Sequence, residues 1–362
     1  MAASWQSPLA RAAALGFAHL LVDAACVTAI FRTGGSAAAH VLGSFAVVFG
    51  YDLLAFAAQA PLGMLVDRFG FARASAAFGL MLSALALFFA PHSSLVTMLA
   101  AGIGNALFHL GAGASVLRFS GAHATPAGLF VAPGALGLGI GSWMGKTGIG
   151  PTWPLIALVL LALPLVDFVA TSTPDNDETE ASRLSPGLVW FALSLIFLSV
   201  MIRSYVGFGA PHECEKGTLA LLIGIPLAAF AGKSTGGLFA DRLGWTVTGV
   251  GALILSAPLI AFNGGSTPLT LAGLVLFQMT MPVTLVAASQ LLPGRPATAF
   301  GIPSLALILG AIPTFFPWGR DYSAEVFLVL IAVSAASLLG ALSLLGKRRE
   351  GAVLTLSSPA KT

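Results

Sequence analysis

His19 and Asp23 stand four residues apart in the apolar run FAHLLVDAACVTA, so a helix through that run places both on one face. An acid within lipid is costly unless it faces a cavity or a partner. The pair is therefore a candidate for holding protons or substrate, the alternative being a mutually satisfied pair that locks two helices together. Asp52 lies about twelve residues into a second apolar run that begins near His40, with Gln59 seven residues further along the same face. Near mid-membrane a charge costs most, which suits this carboxyl to carry a proton between two aqueous phases, unless it serves only as a helix-to-helix hydrogen bond. Asn105 and His109 stand at i and i+4 in GIGNALFHLGAGASVLRF, among small residues that open space beside them. Histidine titrates near neutrality and both donates and accepts, which serves a proton relay or an anion, or a bond to a neighbouring carbonyl.

Arg203, in LSVMIRSYVGFG, carries a flat fork of donors suited to a carboxylate or phosphonate, and falls towards the outer third of its helix. The alternative is an ion pair with one of the buried acids. Lys233 falls near the cytoplasmic end of its helix and is expected to snorkel to the surface. Leu107-Phe108-His109 is matched by Leu276-Phe277-Gln278, which marks Gln278 as a further candidate. The loop His212-Glu213-Cys214-Glu215 has ligand-type side chains, with His40, His92 and Cys26 on the same side, but no recognised metal spacing, so no metal site is expected. The two cysteines, Cys26 and Cys214, exclude a disulfide framework. No G-x-x-x-x-G-K-[ST] loop is present; GKST at Gly232 lacks the upstream glycine, and no cofactor is expected.

The elements that must position these groups follow from composition. Of the 362 residues 57% are hydrophobic and 9% charged, and the mean hydropathy is +0.93, which places most of the chain in lipid. The few charges make the pI of 9.1 poor evidence for nucleic-acid binding, and none is expected. Spans of about 20 apolar residues, punctuated by polar or Gly/Pro breaks, predict twelve membrane helices, among them His40–Ala60, Thr152–Thr171, Gly217–Gly236 and Thr267–Leu291. Glycines at 134, 137, 139, 141 and 145 in the fifth suit close approach to neighbouring helices.

Within YDLLAFAAQAPLGMLVDRFGFAR, residues Gly63, Asp67, Arg68 and Gly70 spell G-x-x-x-D-R-x-G, and Gly237, Asp241, Arg242 and Gly244 spell it again 174 residues on. A repeat at half-length predicts two similar halves, 1–171 and 187–362, joined by the polar linker 172–186. Glycine there lets two helices approach, Asp and Arg can pair or cap helix ends, and the last glycine reverses the chain. The motif is that of the loops after the second and eighth helices of the major facilitator superfamily, which the chain resembles; Phe71-Ala72-Arg73 and Trp245-Thr246 replace the more basic finish of many members. GFAHLLVDA, GNALFHLGAGAS, RSYVGFG and MTMPVTL…LLPGRPATAFG make it similar to the fosmidomycin-resistance-like branch.

The resemblance implies a secondary transporter working by alternating access between its halves, with proton-coupled efflux of a small organic, anionic or drug-like molecule. Its implied partners are substrate, protons and the bilayer, and it would act as a monomer without enzymatic chemistry. With the N-terminus cytoplasmic, eleven of the 17 Lys and Arg lie on the cytoplasmic side and four outside, the other two, Arg203 and Lys233, falling within helices. That asymmetry places both termini of a multi-pass plasma-membrane protein inside. Import of an organic anion or nutrient, metal export and a membrane enzyme built on the His/Asp pairs are the alternatives.

Overall fold

Long apolar runs with few internal charges leave the backbone no partners in lipid except its own, and the chain answers with helices. The structure, a computed structural model, describes residues 7–34, 43–166, 184–213, 219–320 and 323–356, and of these leaves the side chains of 34, 212, 213, 219 and 347–356 undescribed. In order the helices are α1 Pro8–Gly34, α2 Ser44–Asp52, α3 Gln59–Phe69, α4 Ala72–Phe89, α5 Ser94–Ser120, α6 Ala124–Thr147 and α7 Thr152–Leu161. They continue as α8 Pro186–Gly209, α9 Leu219–Leu243, α10 Trp245–Ala261, α11 Thr267–Gln278, α12 Thr280–Leu291, α13 Pro296–Ala311 and α14 Ala324–Leu356. Among the described residues ten segments are long and apolar enough to cross a membrane, and two shorter apolar helices, Thr152–Val166 and Trp245–Ala261, accompany them.

Three departures from the sequence reading have local causes. The segment 44–69 is a single span, but between α2 and α3 the residues Leu53–Ala57 form a π turn, and the Gln59 side chain donates to Ala55 O at 2.7 Å, satisfying a carbonyl there. The span thus continues past Ala60, and Gly63, Asp67 and Arg68 sit on its last helical turns instead of in a loop. Gly70, at φ 69°, makes the left-handed stop that a side chain would strain. In the repeat, α9 runs past Gly236 to Leu243, and Gly244 ends it. The tenth span breaks at Met279 into α11 and α12, where Thr280 Oγ1 donates to Phe277 O at 2.9 Å. The linker 172–186 lies mostly outside the described residues, as do His40, Cys214, Glu215 and the side chains of His212 and Glu213.

Packing is organised by pairs. Helix α1 lies along α6, α4 along α5, α9 against α6, and α13 against both α3 and α8. The α1–α6 seam needs small residues: a Cβ at Gly137 would stand 2.3 Å from Leu20 O and one at Gly141 2.7 Å from Ala24 O. This contact lets α1 and α6 share one buried polar cluster.

Candidate functional site

Half-way along α1, α5 and α6 the predicted polar residues converge. Asp23 is 4% exposed and its carboxylate meets three groups. Asn105 Nδ2 donates to Oδ1 at 2.8 Å, His19 Nε2 lies 3.1 Å from Oδ2, and His109 Nε2 lies 3.9 Å from Oδ1. The two imidazoles also face each other, Nε2 to Nε2 at 2.7 Å, with their rings edge to face. His19 Nδ1 is 2.9 Å from Phe130 O, and His109 Nδ1 is 2.8 Å from Asn105 O. Helix α6 comes close enough for this because residue 134 is glycine; a Cβ there would lie 2.3 Å from His19 Nε2. The rings of Phe108, Phe130 and Phe300 surround the pair, Phe300 from α13 lying 6.3 Å from His109 and 6.0 Å from Phe130 between centroids.

His19, Asp23 and His109 offer ligand atoms within 4.8 Å of one another, the spacing of a metal site. Two ligands of a tetrahedral zinc at about 2.0–2.1 Å lie roughly 3.3 Å apart. The 2.7 Å approach of the nitrogens is too close for a shared ion and fits a hydrogen bond.

A second feature is a cavity of about 510 Å³ among α6, α8, α9, α11, α12 and α13. It runs from Lys146 and Pro211, at the end of the bundle remote from the repeated motif, past Arg203 and Gln278 to Lys233. Among the described residues no Asp or Glu lines it; the remaining wall is mostly apolar, with Phe208, Phe277 and Met281. Arg203 is 7% exposed, and in place of an acid its guanidinium donates to Thr284 Oγ1 at 3.2 Å while Nε has no hydrogen-bond partner. Lys233, expected to reach the surface, is half-buried and lines the cavity instead. Its position, eight residues and therefore about 12 Å along the helix before Asp241, was a signal of that depth. Helix α6 is wall to both sites: Phe130 and Gly134 face the histidines, while Ala135, Leu138 and Gly139 face the cavity.

The repeated motif lies at the opposite end, where each of its two copies ties its own helix to the start of a distant one. Asp67 accepts from Ala297 N at 2.9 Å, and from Thr298 N and Oγ1 at 2.7 Å each, capping the N-terminus of α13. Asp241 accepts from Ala124 N at 2.7 Å, Thr125 N at 2.8 Å and Thr125 Oγ1 at 2.5 Å, capping α6. A carboxylate at the free N–H groups of a helix start satisfies donors and complements the dipole. The glycines one turn back are needed for the approach, since a Cβ at Gly63 would be 2.7 Å from Ala297 O and one at Gly237 2.6 Å from Ala124 O. The aspartates therefore cap helices distant in sequence; Arg68 instead stacks over Phe69, 5.5 Å from the ring centre.

Two of the expected site residues stay apart from both centres. Asp52 is half-buried eight residues beyond Ser44, where the described helix starts, nearer one end of the span than the sequence reading placed it. Among the described residues it has no hydrogen-bond or ion-pair partner. Gln59 is spent on the π turn, its Oε1 unpaired. The Phe130 carbonyl, the Phe300 ring and Lys146 were missed; backbone groups and the far ends of distant helices leave no mark in spacing.

No family model matches the chain, and no curated protein matches it. Its fold does match solved transporters. The E. coli fucose:proton symporter FucP is similar at 15% identity and TM-score 0.62 over 93% of this chain and 98% of that one. A second FucP structure, described as a major facilitator superfamily transporter in the outward conformation, gives 16%, 0.64, 93% and 98%. The human organic anion transporter MFSD10 (TETRAN) gives 16% and 0.67 over 92% of this chain and the whole of that one.

Proposed function

We propose that this chain, which has the fold of major facilitator superfamily transporters, is a secondary transporter that moves a small organic anion by alternating access and couples it to protons. The two six-helix halves, 1–171 and 187–362, rock about the cavity between them, and a single chain suffices because the cavity is lined from both. One observation carries the reading. Arg203 sits buried beside a cavity whose described lining holds further cations and no acid, with donors left over, an arrangement in which an anion supplies what the described lining lacks. The apolar wall suits the body of the same molecule. The organic anion transported by one of the similar proteins agrees with this choice.

The basic asymmetry of the loops supports both termini in the cytoplasm of a plasma-membrane protein. The motif end is then inner and closed, and the Lys146 end faces out. Asp67→Asn and Asp241→Asn are expected to leave the yield of folded protein unchanged and to slow transport about fivefold each. Each replaces charge-assisted bonds, worth roughly 1 kcal/mol more than neutral ones, at a contact that must form and break in every cycle. Wild-type rates in both variants would reduce the two caps to static clips.

Export driven by proton entry is the direction we favour, following the branch resemblance. The symporter among the similar structures favours import as the second reading. Inside-out vesicles with an acid lumen are expected to accumulate carboxylates or phosphonates and to ignore lipophilic cations. Accumulation only by right-side-out vesicles in acid medium would establish import, and no anion flux in either would end the transporter reading.

A further inference from the structure

The buried histidines can be counted proton by proton. A carbonyl oxygen only accepts, so His19 Nδ1, facing Phe130 O at 2.9 Å, and His109 Nδ1, facing Asn105 O at 2.8 Å, must each carry hydrogen. If both rings were neutral, both Nε2 atoms would then be bare lone pairs, held 2.7 Å apart inside a closed aromatic cage. Lone pairs do not settle at hydrogen-bond distance without a hydrogen between them. Exchanging a tautomer merely moves the conflict to a carbonyl.

We propose that the His19–His109 pair holds one proton in common between its Nε2 atoms, so that two rings carry three ring protons and a single positive charge, with the Asp23 carboxylate as its counter-charge. This rests on the proton-coupled reading above and adds where the driving proton resides. One N–H bond forms as an O–H bond of the donating hydronium breaks, leaving water behind and one positive charge on the pair. From His19 Nε2 the same proton also reaches Asp23 Oδ2, 3.1 Å away, which gives it two acceptors without movement of any heavy atom. The elements packed on the pair supply the following groups. Helix α1 supplies Asp23, α5 supplies Asn105, whose amide fixes the other carboxylate oxygen, and α6 supplies a carbonyl. Helix α13 supplies only the Phe300 ring. Cys26 and Tyr51 lie within the field of Asp23, and among the described residues Lys233 on α9 is the other cation whose field reaches His109, where it opposes the charge that Asp23 balances.

Phe300 also fixes where the proton goes. It stands two residues beyond Thr298, the residue Asp67 holds, so release of α13 at the inner end withdraws the ring that covers His109.

The test is nitrogen NMR on the purified full-length chain in lipid, with all six histidines labelled in the imidazole. At about pH 8 an ordinary histidine, with a pKa near 6.5, is neutral. One coupled pair of rings is expected to remain charged, with one proton shared between two nitrogens, and this signal is expected to vanish in His109→Gln and in Asp23→Asn. Six neutral histidines would overturn the proposal, as would a charged signal that survives His109→Gln or one that appears only after a chelator strips metal. His19→Gln, read in the same way, guards against a failure of His109→Gln to fold. A shared-proton signal together with flux indifferent to a pH gradient would leave the proton in place and remove the coupling reading; gradient-driven flux without the signal would do the reverse.

Discussion

Arg203→Ala is expected to lower anion transport roughly a hundredfold while making the unliganded protein more stable. The two effects have one cause. A guanidinium that is 7% exposed, with one threonine partner and an unpaired Nε, is a buried charge whose desolvation is not offset until a ligand arrives. Removing it relieves the empty cavity, and removes from the complex the charge-assisted bonds, worth about 3 kcal/mol, that hold the anion. Arg203→Lys keeps the charge but loses the planar fork, so it is expected to fall between the two for a carboxylate or phosphonate. The measurements are the melting temperature with and without anion, and flux in vesicles. A structural arginine gives the opposite signs: a less stable protein whose flux, per folded molecule, is unimpaired. Lys233→Gln is expected to act in the same direction and more weakly, since Lys233 is half-buried at the end of the cavity nearer the repeated motif.

How far the sequence reveals this arrangement depends on whether a feature is local. The spacing of His19 to Asp23 and of Asn105 to His109 is helical, and each pair lies on one face of its helix as read; that the two faces meet is a tertiary fact, prepared by the small residues of α5 and α6 but not visible in them. The repeated G-x-x-x-D-R-x-G was legible because it is duplicated, yet its role was only half legible. The capped partners, Thr298 and Thr125, lie 231 and 116 residues away from their aspartates. Lys233 was misread because an apolar count stops at Gly236, whereas the backbone continues helical through charged residues to Leu243. The sequence reading starts the second span near His40, whereas the described helix begins at Ser44, which puts Asp52 eight residues from that start.

Asp23→Asn is expected to lower gradient-driven flux more than tenfold while leaving substrate exchange, whereas Asp52→Asn is expected to leave both within about twofold. Asparagine keeps the shape of Asp23 and can still accept from Asn105, but it cannot balance the charge that the His19–His109 pair carries. The pair then loses its proton, and with it the coupling term, which in such linked sites amounts to about 1–3 kcal/mol, or roughly 5- to 150-fold. The carboxyl at position 52 has depth enough to be costly, which made it the sequence's first candidate for the proton. Among the described residues it has no hydrogen-bond or ion-pair partner, it lies apart from the histidines and it does not line the cavity, so arrival of the anion has no described contact through which to alter its surroundings; α13 packs on the π turn that follows it but makes no described hydrogen bond or ion pair to the carboxyl. Coupling requires that a group's environment differ between the two access states. In the proposed cycle the histidine pair meets that condition through two contacts, Gly134 on the helix that walls the cavity and Phe300 on the helix whose start Asp67 caps. Flux of a carboxylate into proteoliposomes, with and without an imposed pH gradient, separates the two acids. Loss of gradient-driven flux in Asp52→Asn with retention in Asp23→Asn would return the coupling role to the second span and leave the buried cluster as a rivet between α1, α5 and α6.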